Sequence, residues 1–337
     1  MTEHLLIRKD GVAGRITFNR PQALNALSHE MALAIHEALR AWKSDEDVKL
    51  IIIDSNGDRA FCAGGDIAAV YHAAKAGNHA EGQRFFFDEY RMNAEIANYP
   101  KPVVAFMQGF VMGGGVGVGG HASHRIVGDT TRIAMPESGI GLIPDVGGSW
   151  LLGRAPGHLG EYLMLTADRM GPGDAIKAGF ADLYIPEANW PDLIGKLAAS
   201  ADLTALKGHT TPDAPLLARD LSAFAGADVA EITAALEAQG DEDALKPIRR
   251  NSPLSMAAGL QLARAARDDS RIEQSLAREY RFTHRASQQG DFIEGVRAQV
   301  IDKDRDPRWA APADPAAVQS ILGSLGVDEL HFDAEGE

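Results

Sequence analysis

The alternation of hydrophobic and polar positions predicts that strands and helices follow one another regularly in the first half of the chain. Apolar residues at 5–7 and at 16 and 18 stand among polar residues on either side of an Asp-Gly dipeptide at 10–11, which is typical of a β-hairpin. Mostly apolar runs at 48–53 and 103–106 contain many valine and isoleucine residues and predict buried strands. Strands that alternate with helices in this way indicate an α/β layered fold.

Helical periodicity is clearest between these predicted strands. Ser28 is a candidate N-cap for a helix over residues 29–43, in which apolar residues recur every three or four positions. Further helices are predicted over 68–76 and 81–99. The second of these contains three consecutive phenylalanines and a tyrosine, so at least one of its faces must be buried. Glu89 lies among these aromatic residues, and the pattern alone leaves open whether it is buried or on a solvated face.

The pattern changes after residue 189, where alanine-rich amphipathic segments replace the alternation of strands and helices. Long helices are predicted over 253–267 and 271–288. We therefore expect a core formed by residues 1–189 and a mainly α-helical region, residues 190–337, packed on that core.

Composition and charge limit the classes of partner. The chain has 337 residues, of which 45% are hydrophobic, so it can bury a large core. Its net charge of −14 argues against nucleic acid, whose phosphates require local positive charge. No apolar run approaches the roughly 20 residues of a membrane span, and the charged start is not typical of a signal peptide. A single cysteine, Cys62, excludes internal disulfides and a cysteine-based zinc site, which favours a cytoplasmic location.

The candidate chemistry lies between residues 108 and 148. Six glycines fall between Gly113 and Gly120, and in a helix each would cost roughly 0.5–1 kcal/mol relative to alanine. Such a density is expected where the backbone must come very close to another group. Glu137 and Asp145 follow in a segment of mostly glycine, proline, isoleucine and leucine, where an unused charge is unfavourable. These residues predict an oxyanion-binding glycine turn that faces a pair of carboxylates, an arrangement suited to acyl chemistry.

Several separate motifs occur in a fixed order along the chain: Phe61-Cys-Ala-Gly-Gly-Asp66, Met112-Gly-Gly-Gly115, and Met135-Pro-Glu followed by Ile140-Gly-Leu-Ile-Pro. Together they resemble the crotonase (enoyl-CoA hydratase/isomerase) superfamily. Further motifs resemble the branch of this superfamily that hydrolyses 3-hydroxyisobutyryl-CoA: Phe86-Phe-Asp-Glu-Tyr90, Gly113-Gly-Gly-Val-Gly117, Pro144-Asp-Val-Gly-Gly148, the segment Asp291-Phe-Ile-Glu-Gly-Val-Arg-Ala298, Ile301-Asp-Lys-Asp304 and Pro307-Arg-Trp309. The resemblance extends from about residue 5 to residue 315 and is weakest between 190 and 250.

The resemblance implies a core of stacked ββα turns and an acyl-CoA thioester substrate. Coenzyme A is then part of the substrate, and no separate cofactor or metal is expected. The thioester oxygen would be held by the backbone N–H groups of Gly65 and Gly114. Attack on a thioester places negative charge on this oxygen, and removing one fixed donor typically costs about 2.7–4 kcal/mol of barrier. A side chain at either glycine would crowd the thioester.

The acidic residues favour the hydrolase branch over the hydratases of the superfamily. Hydratases use two glutamates, of which Glu137 matches the second, whereas Gly117 stands at the position of the first. Asp145 stands where hydratases have glycine, so that the Glu/Asp pair resembles the hydrolase branch. Glu89 matches a substrate-contacting position there.

The implied reaction is hydrolysis of a small 3-hydroxyacyl-CoA thioester in valine breakdown. Glu137 would act as general base or as nucleophile. Asp145 would orient the water or the substrate hydroxyl. Two other functions stay open: an enoyl-CoA hydratase or isomerase for a short-chain acyl-CoA, and an acyl-CoA-binding protein without turnover. A homo-oligomer is compatible with the sequence.

The motif Gly115-Val-Gly-Val-Gly-Gly120 also matches the dinucleotide-binding fingerprint G-x-G-x-x-G. That fingerprint requires a strand that turns directly into a helix. Here eight residues, 107–114, separate the predicted strand at 103–106 from the first glycine, which argues against a dinucleotide.

Each candidate residue also has a structural alternative. Asp145 fits the N-cap of a helix that starts near Val146, and Glu137 could be a capping or ion-paired residue. Cys62 lies in an apolar run and is expected to be buried rather than to act as a nucleophile.

Overall fold

The computed structural model describes residues 3–311 and 313–332. Residues 1, 2, 312 and 333–337, which the two predicted regions include, lie outside the described residues. The strands of the described chain are β1 (Leu5–Asp10), β2 (Ala13–Phe18), β3 (Leu50–Ser55), β4 (Ala60–Cys62), β5 (Val103–Met107), β6 (Phe110–Met112), β7 (His124–Val127), β8 (Arg132–Ala134) and β9 (Leu183–Tyr184). Its α-helices are α1 (His29–Lys43), α2 (Ile67–Lys75), α3 (His79–Ala97), α4 (Gly114–Gly119), α5 (Gly148–Arg154), α6 (Leu159–Thr166), α7 (Pro172–Lys177), α8 (Trp190–Ser200), α9 (Val229–Gln239), α10 (Glu242–Arg250), α11 (Pro253–Ala265), α12 (Ile272–Ala286), α13 (Phe292–Val296) and α14 (Pro315–Leu322).

The strands of the described residues form two sheets. The larger sheet has the order β1-β2-β3-β5-β7-β9, and the smaller has the order β4-β6-β8. Apart from the antiparallel β1–β2 hairpin, the paired strands are parallel. The strands β3, β5 and β7 belong to the larger sheet, and the strand that follows each of them belongs to the smaller sheet. A helical segment follows each pair, namely α2, α4 and the 3₁₀ helix Glu137–Ile140. This repeat confirms the predicted stacked ββα core.

The predicted hairpin and first helix are confirmed, whereas the predicted strand at 48–53 lies two residues too early. Ser28 caps α1, because its side chain accepts a hydrogen bond from the Met31 amide. The strand β3 instead continues through Asp54 and Ser55, which pair with the end of β2. The Asp54 carboxylate accepts a hydrogen bond from Arg15 Nη2 at 2.6 Å, so this polar end of the strand is held by an ion pair.

The described residues divide into two compact units. The first unit lies within Met1–Gly65, Arg91–Ala134 and Arg169–Ala218, and it contains both sheets. Helix α8 packs on the larger sheet, where the rings of Phe106 and Trp190 lie 5.4 Å apart. Helix α8 begins one residue after the predicted boundary at 189, and that boundary stays a prediction.

The second unit lies within Asp66–Tyr90, Met135–Asp168 and Arg219–Glu337, and its regular elements are helical over the residues described. Helix α11 packs closely on α5, because a Cβ atom at Gly153 would lie 2.5 Å from the Ala263 carbonyl oxygen. After β9 the described chain forms helices and connecting segments, as predicted for the C-terminal region. Among the helices described, none is both long and apolar enough to cross a membrane.

Candidate active site

The two glycines predicted to bind an oxyanion lie on neighbouring turns of the first unit. Gly65 follows β4, and Gly114 is the first residue of α4. Because it is in the first turn of a helix, the Gly114 amide has no acceptor within that helix. The turns are close together, since a Cβ atom at Gly115 would lie 2.1 Å from the Cys62 carbonyl oxygen. Only glycine allows this approach.

The glycine-rich stretch forms a short helix despite the cost of its glycines. Helix α4 is buried along its whole length, and its glycines permit close packing. A Cβ atom at Gly119 would lie 2.6 Å from Met107 Sδ. The close backbone approach predicted for this stretch is therefore present, within a helix rather than an open turn.

The predicted absence of a strand that turns directly into a helix at the glycine-rich stretch is wrong. A short strand, β6, forms by pairing with both β4 and β8, and it ends at Met112, directly before the glycines. A strand therefore does turn directly into a helix. The fingerprint still does not fit, because it requires its first glycine in that turn, whereas Gly115 lies inside α4.

The three acidic residues predicted to act on substrate are buried in the second unit. Glu89 lies on α3, Glu137 begins a 3₁₀ helix, and Asp145 lies in the loop before α5. Their exposed fractions are 2%, 5% and 4%. The alternative of a solvated face for Glu89 is thus wrong. Burial, and after it the charge of Asp145, raises the pKa of Glu89 and of Glu137 well above the usual carboxyl value. The three carboxyl groups therefore interact electrostatically.

Asp145 is held by a hydrogen bond from an aromatic hydroxyl. The Tyr90 hydroxyl donates to Asp145 Oδ2 at 2.7 Å. Burial raises the pKa of Asp145 to about 7, although this hydrogen bond favours the charged form. Near neutral pH the group is therefore divided between its ionised and protonated forms.

The structural alternatives for the acidic pair are wrong. Helix α5 begins at Gly148 with Gly147 as its N-cap, so Asp145 lies too far upstream to cap it. The reason is the backbone, because Val146 and Gly147 have φ values of +53° and +79°, which no right-handed helix contains. Glu137 forms no ion pair with the residues described here, and the N-cap of its 3₁₀ helix is Pro136.

Two carboxylate oxygens of the predicted site are among the buried atoms that have no hydrogen-bond partner within the described residues. They are Glu89 Oε1 and Glu137 Oε2. Buried polar atoms are almost always hydrogen-bonded in folded proteins, so each exception requires an explanation. A substrate that brings hydroxyl or water donors would satisfy both atoms.

Glu279, on α12, is a further buried carboxylate that the sequence pattern did not reveal, and it binds the segment that follows Asp145. Its Oε2 accepts a hydrogen bond from the Gly147 amide at 2.8 Å, and its Oε1 accepts one from the Ser149 amide at 2.9 Å and another from the Ser149 hydroxyl. Burial raises the pKa of Glu279 to about 7. The available signal was helical spacing, which places Glu279 on the buried face of α12 with Leu276 and Thr283.

Cys62 is buried, as predicted. In the chain as far as it is described, no three His, Cys, Asp or Glu side chains form a group that could hold a metal ion.

Residues 13–322 match the family model described as enoyl-CoA hydratase/isomerase. The chain belongs to the enoyl-CoA hydratase/isomerase family. The superfamily predicted from the motifs is thereby confirmed. One relative in this family is the mitochondrial 3-hydroxyisobutyryl-CoA hydrolase of Xenopus tropicalis. It is 39% identical over 322 residues, which cover 90% of this chain and 83% of that protein.

Solved structures of enoyl-CoA hydratase/isomerase family members confirm the fold. A crystal structure described as an enoyl-CoA hydratase from Rhodobacter sphaeroides is 53% identical, with a TM-score of 0.94, and the match covers 98% of this chain and 100% of that one. Another, described as a carnitinyl-CoA dehydratase from Mycobacterium thermoresistibile, is 40% identical, with a TM-score of 0.93 and coverage of 99% and 100%.

Proposed function

We propose that the chain hydrolyses 3-hydroxyisobutyryl-CoA to 3-hydroxyisobutyrate and coenzyme A, a step of valine breakdown. The kinship with hydrolases of that name supports this activity, as the motifs predicted. The observation that carries the proposal is the buried Glu137 and Asp145 pair, together with glycine at position 117. Adding water to a double bond requires a base and a proton donor at different carbons, and the first hydratase glutamate is missing here.

In the proposed reaction, the amides of Gly65 and Gly114 hold the thioester oxygen while its carbon is attacked. That these amides face the acidic pair stays a prediction. The ionised Glu137 takes the proton of the attacking water, the carbon–sulfur bond breaks, and the coenzyme A thiolate leaves. Asp145, which is partly protonated near neutral pH, supplies a proton to the thiolate. Burial and the charge of Asp145 raise the pKa of Glu137 well above the usual carboxyl value, so Glu137 acts as base only in its ionised fraction, and the acid limb of the pH profile should report that ionisation.

A second route begins with attack by Glu137 itself, which would form a mixed anhydride and release the thiol. A single turnover in ¹⁸O-labelled water identifies an anhydride that water opens at the Glu137 carbon. Direct attack by water places the label in the acid product. Attack by water on the Glu137 carbon of an anhydride places it in the Glu137 carboxylate, where mass spectrometry of the peptide detects it.

Glu89 is proposed to accept a hydrogen bond from the substrate's 3-hydroxyl group. It is buried, its Oε1 has no partner among the described residues, and its pKa responds to the charge of Asp145. A site built to bind a hydroxyl group discriminates strongly against an acyl chain that lacks one. Comparing 3-hydroxyisobutyryl-CoA with isobutyryl-CoA measures this preference.

The second candidate is an enoyl-CoA hydratase, which the description of the Rhodobacter sphaeroides structure favours. The decisive experiment offers 3-hydroxyisobutyryl-CoA and crotonyl-CoA side by side, and follows thiol release and loss of the enoyl absorbance. Thiol release from the first compound with slow loss of the second supports the hydrolase. Fast hydration without thiol overturns it, and binding without either reaction establishes a binding protein.

A cytoplasmic location and a homo-oligomer stay proposals. The single cysteine supports a reducing compartment. Cell fractionation tests the location, and light scattering of the purified protein tests the oligomer.

A further inference from the structure

Helix α12 reaches the surroundings of Asp145 through two side chains one helical turn apart. Glu279 binds the segment that directly follows Asp145. Thr283 Oγ1 lies 3.2 Å from the Tyr90 hydroxyl, which in turn donates to Asp145. One face of α12 thus contacts both the backbone that follows Asp145 and the Tyr90 hydroxyl that donates to the Asp145 carboxylate.

The segment that Glu279 binds is unfavourable by itself. Val146 has a φ of +53°, in the left-handed region that branched side chains rarely adopt. Residues held in such regions typically cost about 1–3 kcal/mol and persist only when the surrounding structure determines them. Within the turn, the Gly148 amide donates to the Asp145 carbonyl oxygen at 2.6 Å. The position of Asp145 therefore depends on bonds that the turn receives from outside.

Glu279 has the geometry to supply these bonds. Its two carboxylate oxygens bind the amides of Gly147 and Ser149 separately, and the Ser149 hydroxyl completes the shell. No lysine or arginine in the described part of the chain forms an ion pair with it. Burying a carboxylate without a cation costs free energy, and for Glu279 this cost is offset by its three hydrogen bonds to the turn.

We propose that Glu279 is a positioning residue for the thioesterase reaction, which holds the turn of residues 145–149 so that the Asp145 carboxylate stays on the Tyr90 hydroxyl. The inference rests on the proposed function and adds a residue to it. Glu279 touches no reacting atom in this scheme and acts through Asp145.

Glu279 also contributes charge to the site. The charge of Asp145 raises the pKa of Glu279, and the charge of Glu279 raises the pKa of Glu137 and of Tyr90. The charge of Glu89 also acts on Glu137. The charge of Glu279 adds to the effects that raise the pKa of Glu137, and Asp145 and Glu279 repel each other in the same way. Removing that charge therefore lowers the pH at which Glu137 ionises.

The test replaces Glu279 with glutamine. The amide has one acceptor oxygen for two backbone N–H groups, so the turn loses at least one bond. We expect kcat to fall by about 10²-fold while KM stays within about threefold, because substrate contacts remain and Asp145 is displaced. The acid limb of the kcat/KM profile should move to lower pH. Glu279→Asp keeps the charge and should recover part of the rate.

Glu161→Gln is the matched control. Glu161 is also buried in the second unit, but it binds Arg264 and Arg267 rather than the 145–149 turn. This change should lower the melting temperature and leave the pH limb in place. If both variants lower kcat in proportion to stability and neither moves the limb, Glu279 is merely structural and the inference is overturned.

A crystal structure of Glu279→Gln tests the positioning without any assay. An unchanged 145–149 turn with Asp145 still bonded to Tyr90 overturns the inference, whether or not the chain is a hydrolase. If wild type releases no thiol from 3-hydroxyisobutyryl-CoA, the proposed function fails, and this structure still decides the role of Glu279. Should the glutamine variant not fold, Ser149→Ala, which removes one of the three bonds, is expected to show a smaller shift of the turn, and an unmoved turn there overturns the inference as well.

Discussion

Tyr90 and Asp145, 55 residues apart in sequence, are joined by a 2.7 Å hydrogen bond from the phenol to the carboxylate. The bond stabilises the ionised form of an aspartate whose pKa burial raises to about 7. The pKa of Asp145 is therefore set by two opposed effects: burial raises it, and the hydrogen bond from Tyr90 lowers it.

Replacing Tyr90 with phenylalanine should raise the pKa of Asp145, since the bond that favours its charged form is lost. Because Asp145 is the proton donor of the proposed reaction, its ionisation defines the alkaline limb of kcat/KM, and this limb should move to higher pH. The pH profile of thiol release measures it. Tyr99→Phe is a suitable control, because the Tyr99 hydroxyl donates to the Leu39 carbonyl oxygen in the first unit. A limb that does not move in Tyr90→Phe contradicts the assignment.

Glu137→Gln should abolish thiol release and leave ligand affinity within about tenfold, because the amide keeps the size of the side chain but cannot accept a proton. Asp145→Asn should cost nearly as much. Steady-state kinetics and calorimetric titration with substrate in the inactive variant separate rate from binding. A variant that retains the wild-type rate removes that residue from the mechanism.

The buried acids should lower the free energy of unfolding as pH rises towards neutrality. Asp145 and Glu279 have pKa values of about 7 when folded, against about 4 for ordinary carboxyl groups. Between these values the folded chain binds more protons than the unfolded chain, so each group favours folding at the acid end of the window and loses this effect as pH rises.

Asp145→Asn removes one such group and retains an acceptor for Tyr90. It should therefore raise the free energy of unfolding more near pH 8 than near pH 5, with a difference on the order of a few kcal/mol at most. Thermal denaturation of both proteins across this range checks it. An equal difference at every pH would show that the folded and unfolded pKa values of Asp145 do not differ.

Gly115→Ala should prevent stable folding or reduce stability by about 3 kcal/mol or more, because the new methyl group would meet the Cys62 carbonyl at 2.1 Å. Gly171→Ala is the control, since a Cβ atom there would have no neighbour within 4 Å. Its effect should stay within about 1 kcal/mol. Denaturant titration of the two variants compares them, and equal stabilities would contradict the close approach of the glycine helix.

Sequence pattern predicted those features that depend on local chemistry. The hairpin around residues 10–11 and the Ser28 cap follow from turn and capping preferences, and both are present. The strand β6 escaped notice because its three residues form a strand only by pairing with β4 and β8, which are distant in sequence. The helical cap assigned to Asp145 failed since nothing local reveals that Val146 adopts a left-handed backbone conformation.

The candidate site divides in the same way. Glu137 and Asp145 were found because charges in an apolar, glycine-rich segment are conspicuous. Glu89 was named from the motif resemblance, but its burial needed the tertiary structure, because an aromatic-rich helix face alone does not determine on which side a glutamate lies. Glu279 lies 132 residues beyond the Gly147 amide that it binds, in a helix whose other residues give no sign of catalysis.

Cys62 is the chain's single thiol, and it lies beneath the glycine helix. The Cys62 side chain is fully buried, and its backbone packs against Gly115 of α4, so a thiol reagent reaches the sulfur only when this part of the structure opens. The rate at which a thiol-specific dye labels the folded protein therefore measures local opening of this part of the structure. Bound acyl-CoA should slow the labelling if the thioester oxygen is bound by the amides of Gly65 and Gly114. Cys62 thus allows local opening to be measured without an added label site, next to the glycines at which the thioester is proposed to bind.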